Sequence, residues 1–340
     1  MLTATAFDPI AIPSAAVLSI TFKQKGVCIV DNSLRHDLSR SGMVLLIFLL
    51  SQNLLRMPFL LMRRVLFFLN GFGFSMFINQ LAQTLVYVGS MLLTIFFGIW
   101  LMRCGREFLF PLTVTRTDYL YPAVGAGLGV GMLGNIIAAL LTLLLSSAGV
   151  QAKDNVPEFG GGISTTLLTI LAVTVLPAIL EELLFRGVLL QPLRKYGDGI
   201  AVVLSALMFA VCHPTLPQFV NAFIMGLCLG TFAVRSGSLT TTMLIHLVYN
   251  SIACVVTMLP FYLPQATASL VGWLIIFSLV AVGIYSCLVL RHRFGSVWRL
   301  PRNAYIPTSA GHAIFSVLCS LPFVLALLFN LMAIFRNLYI

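Results

Sequence analysis

The chain has 340 residues, 59% of them hydrophobic and only 9% charged, against about 25% charged in soluble domains. So much apolar surface cannot be hidden by a water-soluble fold of this length. The apolar runs also lack the ten-residue alternation of an outer-membrane barrel. The formal net charge of +10 comes from basic residues set between apolar runs, where positive-inside bias puts them, and nucleic-acid binding does not follow from it.

The expectation is an all-α, polytopic transmembrane helical bundle of about eight to nine spans. Residues 1–42 read as an N-terminal tail and 43–340 as a single transmembrane domain. No basic n-region leads into a compact apolar core and cleavage site, so no removable signal peptide is expected. The first span is placed near 43–62, in a stretch interrupted by Gln52, Asn53, Arg56, Arg63 and Arg64. Later spans are placed near 79–102, 119–147, 163–190, 199–213, 217–234, 238–260, 266–290 and 310–335. Runs of about 20 apolar residues suffice to cross hydrocarbon.

Loop charge orients these spans. Arg103, Arg106 and Arg116, then Arg194 and Lys195, then Arg235, then the group Arg291 to Arg302 mark one side. That side is read as cytoplasmic, with the N-terminus on it, in an integral plasma-membrane protein. The 291–302 group can also touch anionic lipid. Seven cysteines are scattered without a CxxC pair and read as packing residues rather than disulfides or metal ligands.

Glycines cluster at 124–135. Gly129, Gly131 and Gly134 spell GxGxxG, but the dinucleotide reading needs a strand before them. Inside a membrane span, close helix packing is the better account, as it is for Gly226 and Gly230.

Ionisable groups inside apolar spans concentrate between residues 181 and 250: Glu181, Glu182 and Arg186 in EELLFRG, His213, then His246 with Asn250. A carboxylate at the centre of a membrane helix costs roughly 2.5–3.5 kcal/mol on insertion scales, so an adjacent pair asks for a reason. Glu182 and Arg186 are i,i+4 and can pair. Glu181 is rotated by about 100° around the helix and cannot share that face. His246 and Asn250 are again i,i+4. Glu181 and His246 both fall about 12–14 Å from the cytoplasmic span ends, and His213 about 20 Å.

A carboxylate and a histidine around one water can activate it, given a base whose pKa lies near the working pH. A second histidine and an amide can donate to a developing oxyanion, most effectively where water is scarce. These are the parts of a peptide hydrolase without a covalent nucleophile. Ser205 and Cys212 are near, but neither sits in a GxSxG setting. His213, His246 and Glu181 are also a zinc set with an open position. No HExxH is present, so no cofactor is expected and zinc is kept as the alternative.

EELLFRG resembles the EExxxR motif of the CPBP intramembrane proteases, the CAAX-processing and bacteriocin-processing (Abi) group. Phe209 to His213 resembles its FxxxH motif and His246 to Asn250 its HxxxN motif. The resemblance covers about 165–255. It implies a glutamate-dependent endopeptidase with a cavity open to the cytoplasmic side. Carried over residue by residue, Glu181 is the general base, assisted by His213, with His246 and Asn250 stabilising the oxyanion. Glu182, Arg186 and Phe209 are structural support. The implied partners are a peptide or protein substrate at the membrane and the lipid bilayer. Substrate lipidation and CAAX-type processing are extrapolations within the family. Two other readings use the same residues: a non-catalytic immunity or partner protein of the same fold, and a proton-coupled transporter built on a Glu/His relay.

Overall fold

The computed structural model describes residues 33–70, 75–152, 159, 161–300, 304–306 and 308–339. Among them are the long helices α1 (Leu34–Asn70), α2 (Met76–Met102) and α3 (Thr117–Ser147). A broken helix, α4 (Ile163–Tyr196), follows, then α5 (Asp198–Val211), α6 (Leu216–Ser236), α7 (Leu239–Tyr262) and α8 (Gln265–Phe294). The chain closes on α9 (Ala310–Leu318) and α10 (Leu321–Arg336). Seven described helices are long and apolar enough to cross a membrane, eight if α9 and α10 count as one bent span. The polytopic all-α bundle expected from composition is the observed architecture.

Three boundaries differ from the sequence reading. Helix α1 begins at Leu34 rather than near 43; most of the expected tail, up to residue 32, lies outside the described residues. The expected span 199–213 is the 14-residue helix α5, about 21 Å long at 1.5 Å per residue and too short to cross hydrocarbon alone. The expected span 310–335 is bent by 76° between α9 and α10. Pro322 in the first turn of α10 has no N–H to continue a helix arriving from α9.

The basic loops do gather at one end. Leu239 N–H donates to Pro111 O at 2.9 Å, Ile306 N–H to Lys195 O at 2.8 Å, and Arg235 Nη2 to Phe294 O at 3.2 Å. Lys195 Nζ lies 2.6 Å from Asp37 Oδ2, which also accepts from Tyr196 at 3.0 Å, so the start of α1 is tied to the same end. At the opposite end Gln151–Ala152 pairs antiparallel with Leu338–Tyr339. Asn337 there donates to Pro214 O at 3.0 Å. Cys104 departs from the expected packing role, being disulfide-bonded.

The buried apolar residues form two clusters. One centres on α1, α2, α4 and α5, the other on α3, α6, α7 and α8. The glycine run of α3 is what lets the second cluster close. A Cβ built on Gly129 would stand 2.5 Å from Cα of Gly283 in α8, so the two backbones touch as small-residue membrane interfaces do. Gly226 and Gly230 play the same part against Ala206 and Val202 of α5. Gly129→Val is therefore expected to lower the melting temperature in detergent clearly, at or above the upper end of the about 1–3 kcal/mol typical of overpacking. Gly311→Val, at a position with nothing within 4 Å, is the control expected to leave it unchanged.

Candidate active site

Helix α4 is irregular where it carries its charges. Pro177 supplies no N–H to Val173 O and its ring crowds that carbonyl, and the α-helix breaks at Thr174. It resumes over Val175–Glu181 and then widens into a π-helical stretch, Glu182–Leu189. π turns are rare and recur at functional sites. Glu181 and Glu182 thus straddle a change of helical pitch.

Glu182 and Arg186 are paired as their spacing implies: Arg186 Nη1 lies 2.9 Å from Glu182 Oε1, and both side chains are fully buried. Arg186 Nη2 reaches Gly226 O of α6 at 3.4 Å, and its guanidinium lies 4.6 Å from the Phe209 ring centroid on α5. The same Glu182 oxygen lies 2.9 Å from His246 Nδ1 on α7. A carboxylate accepts only, so Nδ1 carries the proton and donates. Nε2 of His246 is then a donor only in the imidazolium form, and an acceptor otherwise.

Glu181 turns away from that pair, as its rotation around the helix implies. Its Oε1 accepts from the Tyr87 hydroxyl of α2 at 2.9 Å, and its Oε2 lies 3.8 Å from His246 Nε2. That separation is too long for a direct hydrogen bond. His213, at the end of α5, has Nδ1 2.9 Å from Phe209 O, so Nδ1 donates and Nε2 is an acceptor when the ring is neutral. The Phe209 ring meets Phe185, His213 and His246 edge-on, with centroids 5.1, 5.0 and 6.0 Å away.

Glu181, Glu182, Arg186, Phe209, His213 and His246 are therefore brought together from three helices. Asn250 stands one turn beyond His246 and is half-buried; the hydrogen bonds of the cluster do not include it. Two things escaped the sequence reading. Tyr87 lies 94 positions from Glu181 in a span with no other chemistry, and a single tyrosine in an apolar run gives no signal. The link between His246 and Glu182 was also hidden, because helical spacing reports neighbours along one helix and not the helix that crosses it.

Glu181, Glu182 and His246 come nearest to a metal-ligand set. One of the two carboxylates is already held by Arg186, and among the described residues no group of three His, Cys, Asp or Glu side chains is placed to hold a metal ion.

Removing one member of a buried pair costs about 3–5 kcal/mol because the other charge is stranded. Arg186→Leu is accordingly expected to reduce folded yield several-fold on gel filtration. A stable, inactive Arg186→Leu protein would move Arg186 from support into the chemistry.

Residues 163–252 match the family described as "Type II CAAX prenyl endopeptidase Rce1-like". An Escherichia coli protein described as "Uncharacterized 24.3 kDa protein" is 29% identical over 125 residues. That alignment takes in 35% of this chain and 54% of the relative, so the chain spans about half the length of the curated relative it matches. No solved structure matches. The matched segment contains Glu181, Glu182, Arg186, His213, His246 and Asn250, and over that segment the chain is similar to the CPBP/CAAX protease family.

Proposed function

We propose that the protein is an intramembrane endopeptidase that hydrolyses a peptide bond with a water activated by Glu181. The observation that carries this reading is the arrangement of the Glu181 carboxylate. One oxygen is held by Tyr87 and the other faces His246 Nε2 across 3.8 Å, a gap that one water oxygen can bridge with hydrogen bonds of ordinary length.

In this reading Glu181 Oε2 takes the proton of the attacking water, with the free Nε2 of His213 as the assisting acceptor. The hydroxide adds to the scissile carbonyl. The oxyanion that forms accepts from His246 Nε2–H, in the imidazolium form whose Nδ1–H is donated to Glu182, and from the Asn250 amide. The proton on Glu181 then passes to the leaving amine, the C–N bond breaks, and Glu181 returns to its starting state. Glu182 and Arg186 take no proton; they fix the height and tilt of His246. Metal-free catalysis is part of the proposal.

The family match supports a protease of the CAAX-processing type; whether the substrate is prenylated belongs to the same proposal and is not needed by the chemistry. The basic-loop end is read as cytoplasmic, with the N-terminus on that side, in the plasma membrane.

Three measurements check these points. In a comparison of membrane proteomes, at least one peptide cut in cells with the native protein is expected to stay uncut with Glu181→Gln, at equal protein level. Identical proteomes would remove the enzymatic reading, and activity lost to a chelator and restored by zinc would remove the metal-free one. Tyr87→Phe deletes a hydrogen bond to a charged group, worth about 1.5–3 kcal/mol, and should lower kcat at least about tenfold while leaving the protein folded. An impermeant maleimide added to intact cells should label Gln265→Cys and not Arg293→Cys; the reverse pattern inverts the topology.

A further inference from the structure

A cavity of about 920 Å³ lies between the second half of α1, the first turns of α2, the turn joining α5 to α6 and the last turns of α10. Its lining includes Pro214 and Asn337, which meet at the end away from the basic loops. Its volume is near the top of the ~300–1,000 Å³ range of ligand sites. Its lining is unlike the apolar seams elsewhere in the bundle. Arg56, Arg63 and Arg336 line it, no Asp or Glu among the described residues does, and the carboxamides Gln80, Gln83 and Asn330 stand among them.

Arginines within a membrane protein are costly and ordinarily have a partner or a purpose. Among the described residues the ion pairs are all made by other arginines, lysines and histidines. Three like charges facing one cavity repel one another until an anion enters it.

The cavity borders the candidate active site through residues that flank His213, while Glu181, His213, His246 and Asn250 are not in its lining. Cys212 and Pro214, on either side of His213, line it, and Asn330 donates to His213 O at 2.9 Å. A smaller cavity of about 210 Å³ shares Arg56, Gln80 and Gln83 with it and adds Tyr87, the residue that holds Glu181.

We propose that this cavity is the substrate cleft and that its ligand is an anionic peptide, whose carboxylates are bound by Arg56, Arg63 and Arg336. The proposal rests on the peptidase reading and adds the substrate class. The guanidinium fork matches a carboxylate with two parallel hydrogen bonds. A carboxamide offers both N–H and C=O, and so suits the alternating donors and acceptors of an extended peptide. A lipid phosphate only accepts, and would leave half of each carboxamide unused. The carboxylate comes from Asp or Glu side chains or from a free C-terminus.

The test uses full-length Glu181→Gln protein in phosphatidylcholine nanodiscs, so that binding is read without turnover. Fluorescent apolar peptides of one sequence are compared in three forms: with aspartates and an amidated C-terminus, with asparagines and a free C-terminus, and with asparagines and an amide. At least one charged form is expected to bind roughly tenfold more tightly than the neutral form. The form that does so identifies the source of the carboxylate.

Joint replacement of Arg56, Arg63 and Arg336 by Gln should abolish that preference, and replacement by Lys should keep most of it. All three arginines are exposed, so melting temperature and gel-filtration profile should not change. Equal binding of the three peptides, or a preference that survives the Gln replacements, overturns the proposal. So does an effect confined to phosphatidylglycerol vesicles, which marks a lipid headgroup site. Cleavage by the wild-type protein is read separately: charge-selective binding without any cleavage would sink the peptidase reading and leave the cleft in place.

Discussion

The geometry of the site hangs on one buried charge pair. Arg186 and Glu182 have no exposed side-chain surface, and each pays for its burial through contacts with a different helix. Arg186 stacks on Phe209 of α5 and reaches the Gly226 carbonyl of α6. Glu182 takes a hydrogen bond from His246 of α7. Unpaired, either charge would cost several kcal/mol or more in a low-dielectric interior. The four helices are thus held to one arrangement, and His246 is placed beside Glu181 as a consequence.

Backbone packing makes that arrangement reachable. Gly226 lets α6 lie against α5 at Ala206, which brings its carbonyl within reach of Arg186. Beside His246 on α7, Tyr249, together with Asn221 of α6, shares the carboxamide oxygen of Asn135 on α3, at 2.9 and 2.8 Å. This second polar cluster lies three residues along α7 from His246 and opposes any rotation of that helix. Hydrogen bonds that stay inside the bundle spare the lipid-facing surface any polar group.

Much of this was legible in the sequence. The apolar fraction and the spacing of basic loops gave the bundle and the end at which those loops meet. The i,i+4 spacing of Glu182 and Arg186 gave their pair, and the 100° offset of Glu181 gave its separate direction. Contacts between helices were not legible. Tyr87 is one tyrosine in an apolar run, and nothing in its neighbours points at residue 181. His246 was read with Asn250 because they share a face, yet its Nδ1 is committed to Glu182 across a helix interface. The interruptions of α4 and of α9–α10 were signalled only by Pro177 and Pro322, and proline is tolerated in membrane helices often enough that neither forced a break.

The central claim is that two adjacent, chemically identical side chains have different jobs: Glu182 holds the fold and Glu181 does the chemistry. The most direct measurement is the melting temperature of the purified protein carrying Glu181→Gln and, separately, Glu182→Gln, under one set of detergent conditions. Glu181→Gln is expected to melt with the wild type, while Glu182→Gln is expected to melt several degrees lower because the buried Arg186 loses its counter-charge. Equal destabilisation by the two substitutions, or a larger one from Glu181→Gln, would contradict the division of labour on which the proposed mechanism rests.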